Sequence, residues 1–142
     1  MGRQQPSAGF LPVSALHGDS GLVRVSASLN FPQEVPNHAA HFAVGDVVHW
    51  SGVKRCGSAL LMGCFAATNI LMAMAAAEHD EEAKPVQCPE VAPMLVLALG
   101  KKAVSYHLAT GLSHGVEPLK QSFGDDLGLS ICWDFLSIEM DN

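Results

Sequence analysis

The chain has 142 residues, of which 49% are apolar and 15% are charged, and its formal net charge is −6. A chain of this length and composition can bury a hydrophobic core, which excludes disordered and collagen-like proteins. Eight Lys and Arg against fourteen Asp and Glu argue against a nucleic-acid surface, because such a surface needs clustered cations. The composition therefore predicts a soluble globular protein without a nucleic-acid partner.

The cysteines and the start of the chain indicate the redox compartment. The four cysteines are widely spaced and form neither a CxxC nor a CxxH pair, at Cys56, Cys64, Cys88 and Cys132. The first ten residues are polar and contain glycine and proline, without the apolar stretch of a signal peptide. We therefore expect free thiols and a cytoplasmic location. A zinc site that combines cysteine with His38 or His41 is open, but no spacing requires it.

The N-terminal half contains turn signals between short apolar runs. After an irregular start, the sequence His-Gly-Asp-Ser predicts a turn that leads into a strand over residues 21–25. A proline-containing loop follows at 31–37. The apolar run 41–44 predicts a second strand, since Gly45 and Asp46 stop it.

Residues 58–77 predict a long helix, because alanine, leucine and methionine dominate them. The stretch 56–77 carries no charged residue and is long enough to cross a bilayer. Two interpretations are open. A transmembrane helix is disfavoured by Thr68 and Asn69, which cost insertion free energy. Small residues such as Gly63 allow close approach to a sheet, so we predict a buried helix.

The C-terminal half reads as a hairpin followed by a helix. Strands over 94–99 and 103–107, joined through a Gly-Lys dipeptide, predict a β-hairpin. A glycine-rich loop with Gly111 and Gly115 follows. Apolar residues within 126–138 then predict a short amphipathic helix, with a turn and an N-cap at its start.

A carboxylate and a helix start follow the predicted strand closely. In an open α/β sheet, ligands bind beyond the carboxyl ends of the strands. Asp46 would there accept hydrogen bonds from ligand hydroxyls, and Gly45 would let the backbone come close. Lys54 and Arg55 precede the helix N-terminus, where cations are unfavourable against the helix dipole. The pattern predicts an anionic or electron-rich ligand beside the helix start, the alternative being two solvated cations.

Several motifs occur in the order found in a known family. These are Ala59-Leu-Leu-Met-Gly63, Ala67-Thr-Asn-Ile70 and Leu95-Val-Leu-Ala-Leu-Gly-Lys101, after the Gly-Asp dipeptide at 45–46. Together with residues 126–136 they resemble the C-terminal part of FAD-dependent pyridine-nucleotide-disulfide-type oxidoreductases. The resemblance is greatest to the apoptosis-inducing-factor-like, mitochondria-associated (ferroptosis-suppressor-like) branch and its fungal members, and it covers nearly the whole chain.

The resemblance implies a fold and a domain division. The fold would be α/β, with an incomplete FAD-binding Rossmann-like portion of short strands and one long buried helix. A C-terminal β-hairpin and a short helix would follow. The FAD-binding segment would span residues 1–77, a linker residues 78–90, and the hairpin-plus-helix region residues 91–142.

The resemblance also implies a cofactor site and a reaction. Asp46 would bind the ribityl or adjoining phosphate portion of FAD, and the helix start would lie near the pyrimidine edge of the isoalloxazine ring. The implied cofactor-binding residues are Gly45, Asp46, Lys54, Arg55, Gly57, Ser58 and Ala59, without a catalytic or metal-binding residue. NAD(P)H would donate hydride to FAD, and a quinone-like acceptor would receive the electrons.

Both glycine-rich dinucleotide loops of that family are missing from the sequence. We therefore expect a C-terminal fragment that binds FAD weakly or not at all and is inactive alone. The alternative is a non-enzymatic interaction module, or a degenerate paralogue, that uses the apolar helix to bind a partner or a membrane. Association with mitochondrial or other membranes is compatible with both interpretations and required by neither.

Overall fold

The computed structural model describes residues 6–51 and 54–136. Contacts between residues divide the chain into two units, of which the first ends at Val91 and the second begins at Ala92. The first unit contains strands β1 and β2 and helix α1, at Val23–Arg24, Val48–His49 and Cys56–Glu78. The second contains strands β3 to β5 and helices α2 and α3, at Met94–Leu99, Lys102–His107, Gly111–Gly115, Val116–Phe123 and Leu129–Leu136. The α/β class is confirmed, whereas a Rossmann-like FAD-binding portion is not confirmed.

The core of the first unit comes from loops as much as from regular elements. β1 and β2 pair in parallel, with Val23 opposite Val48, and both valines are buried. β-Branched side chains suit this extended pairing. Around them lie other buried side chains from the same unit, namely Ala8, Ala15, Leu29, Phe31, Val35, Met62, Ala66 and Cys88. Removal of this apolar surface from water holds the two short strands together.

Residues 41–44 do not form the predicted strand. Phe42 makes a single antiparallel bridge, and the chain then passes through a 3-10 turn at Gly45–Val47. Gly45 has a φ of +79°, a left-handed conformation that interrupts extended backbone and that glycine adopts without steric cost. Parallel pairing begins only after this turn, at β2. Asp46 therefore lies in a turn before a strand and not at the end of one.

Helix α1 confirms the predicted long helix, but its predicted burial is wrong for most of its surface. The buried residues of α1 are Met62, Ala66 and Asn69, which lie on one side of the helix. The opposite side is open, with Leu71 65% exposed and Met74 58% exposed. The reason is that the first unit places its core against one side of α1. By length and composition α1 could also cross a membrane, a criterion that core helices of soluble proteins meet as well.

Asn69 attaches the middle of α1 to two other segments. Its Nδ2 donates hydrogen bonds to the carbonyl oxygens of Ser28 and Val86, each at 2.9 Å. Its Oδ1 accepts a bond from the Val86 N–H at 2.7 Å. Further along, the Cys88 N–H donates to the Ala27 carbonyl at 2.7 Å. The segment after α1 has no helix or strand at these positions, yet it is held against the first unit by these bonds.

The second unit contains a three-stranded antiparallel sheet. β3 and β4 form the predicted hairpin, in which Leu99 pairs with Lys102 across Gly100 and Lys101. β5 extends the sheet along β4, where the sequence pattern predicted a loop because glycine has low strand propensity. α2, which was not predicted, packs against the sheet and buries Pro118.

Helix α3 confirms the helix predicted at the end of the chain, with residues 137 and 138 of that prediction outside the described residues. Asp126 accepts hydrogen bonds at its start, as the predicted cap requires. Its Oδ1 accepts from the Gly128 N–H at 3.1 Å, and its Oδ2 from the Ser130 N–H at 2.9 Å. Chiefly through the bond from Ser130, the pKa of Asp126 is held below its usual value.

Candidate functional site

The turn at Gly45–Val47 packs against the start of α1. A Cβ atom added at Gly45 would lie 3.6 Å from the Cβ of Ala59, which is an ordinary contact. Glycine is therefore favoured here by the positive φ and not by crowding. The exposed Asp46 lies in the same turn and lines the same cleft as Ser58 and Ala59. The structure thus brings the Gly-Asp dipeptide to the helix start, although the strand expected before it is absent.

The N-terminus of α1 presents backbone N–H groups at this turn. The N-cap residue is Arg55, whose backbone is extended with φ −161° and ψ 157° and whose side chain makes no capping hydrogen bond. The Ala59 N–H donates to the Arg55 carbonyl at 3.1 Å. The N–H groups of Gly57 and Ser58 come earlier in the helix, where the first turn offers them no carbonyl acceptor. With the positive end of the helix dipole, they favour an electron-rich ligand atom.

Lys54 places an ammonium group beside the same turn. Its Nζ donates a hydrogen bond to the Val48 carbonyl. Desolvation lowers the pKa of Lys54, and the negative charge of Asp46 acts in the opposite direction. The cleft wall therefore carries a carboxylate and an ammonium group next to the positive end of a helix.

These groups line a cleft whose internal space is about 20 Å³, roughly that of one water molecule, and which reaches about 380 Å³ only when the open solvent at its mouth is counted. Predicted cofactor-binding residues that line it are Gly45, Asp46, Lys54, Ser58 and Ala59. The two others, Arg55 and Gly57, belong to the helix start but do not line the cleft. A ring system would therefore contact the mouth of this cleft and would not be enclosed by it.

Other cleft residues were not assigned from the sequence, namely Trp50, Ser51, Leu61, Met62, Cys88, Pro89 and Val91. Two long-range hydrogen bonds hold this wall. The Trp50 Nε1–H donates to the Pro89 carbonyl at 3.5 Å, and the Val91 N–H donates to Ser51 Oγ at 3.0 Å. The proximity of Trp50 to the Gly-Asp dipeptide is a sequence signal, whereas nothing local to Cys88 or Val91 indicates that they reach this cleft.

Cys88 contributes an apolar wall to the cleft. Burial raises the pKa of its thiol, which disfavours the reactive thiolate. Within residues 6–51 and 54–136, no three His, Cys, Asp or Glu side chains lie close enough together to hold a metal ion. The zinc site that the sequence left open at His38 or His41 therefore has no ligand set in that part of the chain.

We predict opposite effects for alanine at two glycines of this region. Gly45→Ala should lower the free energy of unfolding by about 1 kcal/mol, because alanine is strained at positive φ. Gly63→Ala should raise it by up to about 1 kcal/mol, because Gly63 lies within α1 with open space around it. Urea denaturation of both variants measures the difference. Equal effects at the two positions would contradict the described backbone at Gly45.

The chain has a relative among curated proteins. It is 37% identical over 136 residues to a protein named Oxidoreductase OXR1 from Ajellomyces capsulatus. The aligned region covers 96% of this chain and 29% of that protein, so the chain spans less than a third of its relative's length. No protein-family model matches the chain.

The comparison corrects the family suggested by the sequence motifs. The assignment to the apoptosis-inducing-factor-like branch of FAD-dependent pyridine-nucleotide-disulfide-type oxidoreductases is wrong, since the aligned relative is Oxidoreductase OXR1 and no family model supports the assignment. The motifs behind it are short and rich in Ala, Leu and Gly. Such residues recur wherever a helix or a hairpin is formed, so their order along the chain was weak support.

Proposed function

We propose that the chain is part of an oxidoreductase and that its cleft contacts the flavin portion of FAD. The redox part of this proposal is supported by the name of the relative. The flavin part is supported by one observation, the Gly45–Val47 turn that packs against the N-terminus of α1, where the Arg55 side chain makes no cap. The flavin part depends on the chemistry of this cleft and not on the family assignment that the comparison showed to be wrong.

The groups in the cleft suit the electron-rich edge of a flavin. A bound flavin accepts hydride and passes on electrons, and its reduced form carries negative charge near N1 and the C2 carbonyl. The N–H groups of Gly57 and Ser58 and the helix dipole would stabilise that charge. Asp46 would accept hydrogen bonds from ribityl hydroxyls, and the half-buried Trp50 offers an aromatic wall.

The phosphates of FAD need groups that this sequence does not supply. A GxGxxG loop at a strand-to-helix turn is missing from the sequence, and such loops provide much of the pyrophosphate binding in dinucleotide sites. The isolated chain should therefore bind FAD weakly. The specific reaction that we propose is hydride transfer from NAD(P)H to FAD, followed by electron transfer to a quinone-like acceptor. We assign no residue of this chain to the binding of NAD(P)H or of the acceptor.

Riboflavin tests the proposed site in the isolated chain. It carries the isoalloxazine ring and the ribityl chain without the phosphates, so the missing loops do not affect it. On titration with riboflavin, we expect amide NMR shifts concentrated at Gly45, Asp46, Gly57, Ser58 and Ala59. Asp46→Asn should weaken the apparent affinity by up to about tenfold, since the amide oxygen still accepts a hydrogen bond but the bond no longer involves a charged group.

Asp19→Asn is the matched control, because Asp19 is also an exposed turn carboxylate of the first unit but does not line the cleft. It should leave the titration unchanged. Shifts that spread over the exposed side of α1, or that are the same in both asparagine variants, would overturn the proposed flavin contact.

A second candidate function is favoured by the open side of α1. A non-enzymatic interaction module would use this surface to bind a partner without any cofactor. It predicts no riboflavin-dependent shifts at the cleft, so the same titration separates the two functions.

A further inference from the structure

Part of the wall of the cleft beside the start of α1 comes from the segment that follows this helix. Residues 89–91, which we call the strap, contain no helix or strand, and Pro89 and Val91 line the cleft. The internal space that remains is about 20 Å³, which holds about one water molecule. A flavin ring system is much larger, so it enters this cleft only if part of the wall moves.

The chain immediately before the strap is held firmly. The backbone of Val86 makes two hydrogen bonds to the buried side chain of Asn69, one through its N–H and one through its carbonyl. The Cys88 N–H donates to the Ala27 carbonyl at 2.7 Å, and Cys88 is 4% exposed. Breaking these contacts would expose core side chains, so we expect them to open only when the first unit opens as a whole.

The strap itself is held by two solvent-exposed hydrogen bonds. The Trp50 Nε1–H donates to the Pro89 carbonyl at 3.5 Å, which is long for a bond of this type. The Val91 N–H donates to Ser51 Oγ at 3.0 Å. Pro89 has no N–H of its own, and its side chain is exposed. A segment with such contacts opens locally at a low cost in free energy.

We propose that the strap lifts, with Cys88 as its hinge, and thereby controls the entry of the flavin ring into the cleft. The identity of this ligand rests on the proposed function. With the strap lifted, the ring would reach the apolar side chains of Leu61 and Met62, which line the cleft. A ligand that binds only the open form has an apparent affinity reduced by the fraction of molecules that are open. The closed strap therefore weakens flavin binding.

Ser51→Ala tests the strap, because it removes the acceptor of the Val91 N–H. The open fraction should rise about two- to tenfold, the effect of one exposed hydrogen bond. Solvent exchange of the Trp50 indole N–H, measured by NMR, should become faster by the same factor, although the substitution does not alter this bond directly. The Cys88 N–H should exchange as in the wild type. Riboflavin should bind with an apparent affinity about two- to tenfold higher, whereas loss of a ligand contact would lower it.

Ser51→Thr is the matched control, because threonine keeps a hydroxyl acceptor. Its exchange rates and riboflavin affinity should match those of the wild type. An unchanged or lower riboflavin affinity in Ser51→Ala, with the shifts at the cleft retained, would overturn the strap as a gate and leave the flavin contact intact. Equal acceleration of exchange at Trp50 and Cys88 would overturn the hinge, since the whole unit would then have loosened.

Failure of the proposed function has a different signature. Absence of riboflavin-dependent shifts at the cleft in the wild type and in both variants would overturn the flavin contact and the ligand named for the gate. The exchange rates of the Trp50 indole N–H and the Cys88 N–H would still decide whether the strap opens separately from the first unit.

Discussion

Replacing Asn69 with alanine is expected to lower the free energy of unfolding of the first unit by about 3 kcal/mol. Asn69 is 2% exposed, and its side chain makes the hydrogen bonds to Ser28 and Val86 that hold α1 to two loops. Alanine would leave two carbonyl groups and one N–H without these partners, and unpaired buried polar groups are costly. Urea denaturation followed by circular dichroism measures the loss.

Thr68→Ala is the control for this variant. Thr68 is the neighbouring residue of the same helix and is exposed, so its replacement should change the free energy of unfolding by less than about 0.5 kcal/mol. A similar loss in both variants would show that Asn69 does not connect the helix to the loops as described.

Leu29→Ala is expected to lower the free energy of unfolding by about 3 kcal/mol. Leu29 is fully buried at 0% exposure, so alanine would remove apolar contacts and leave a cavity. Leu29 also has a φ of +68°, which is unfavourable for a residue with a Cβ atom. Leu29→Gly should therefore be at least as stable as Leu29→Ala, because relief of this strain compensates for the loss of one more methyl group. Chemical denaturation of the two variants gives their order.

Ala67→Gly supplies the reference for that order. At this exposed position of α1, glycine should be less stable than alanine by about 1 kcal/mol, as is usual inside helices. If glycine were also clearly less stable than alanine at position 29, the left-handed conformation of Leu29 would be wrong.

The parts of the fold that could be predicted depend on local sequence. The helix α1 follows from a long run of Ala, Leu and Met, whose helix propensity is high. The β3–β4 hairpin follows from two apolar runs joined at Gly100 and Lys101, with Gly100 at a φ of +62°. Each of these elements is formed by residues close together in the chain, so the pattern itself carries the information.

The parts that could not be predicted depend on distant partners. Of the strand expected over 21–25, the two residues of β1 form strand, because their pairing partner β2 is equally short. The exposure of one side of α1 could not be predicted either, since an apolar helix has the same sequence pattern whether one side or both sides are covered.

The candidate site divides in the same way. The sequence predicted that Gly45 and Asp46 lie beside the start of α1, because few residues separate this dipeptide from the helix. The structure shows the same arrangement. The sequence did not place Cys88 in the cleft, because that position depends on the bond from its N–H to the Ala27 carbonyl. The roles of these residues in binding FAD stay predictions.

The bond between Asn69 and Ser28, which are 41 positions apart, also bears on how fast each unit forms. Closing a long loop costs chain entropy before any contact compensates for it, so folds that rely on distant pairings form slowly. The β3–β4–β5 meander needs only adjacent pairings. We therefore expect the second unit to reach its native contacts before the first during refolding, and α1 to be helical before it acquires its fixed position.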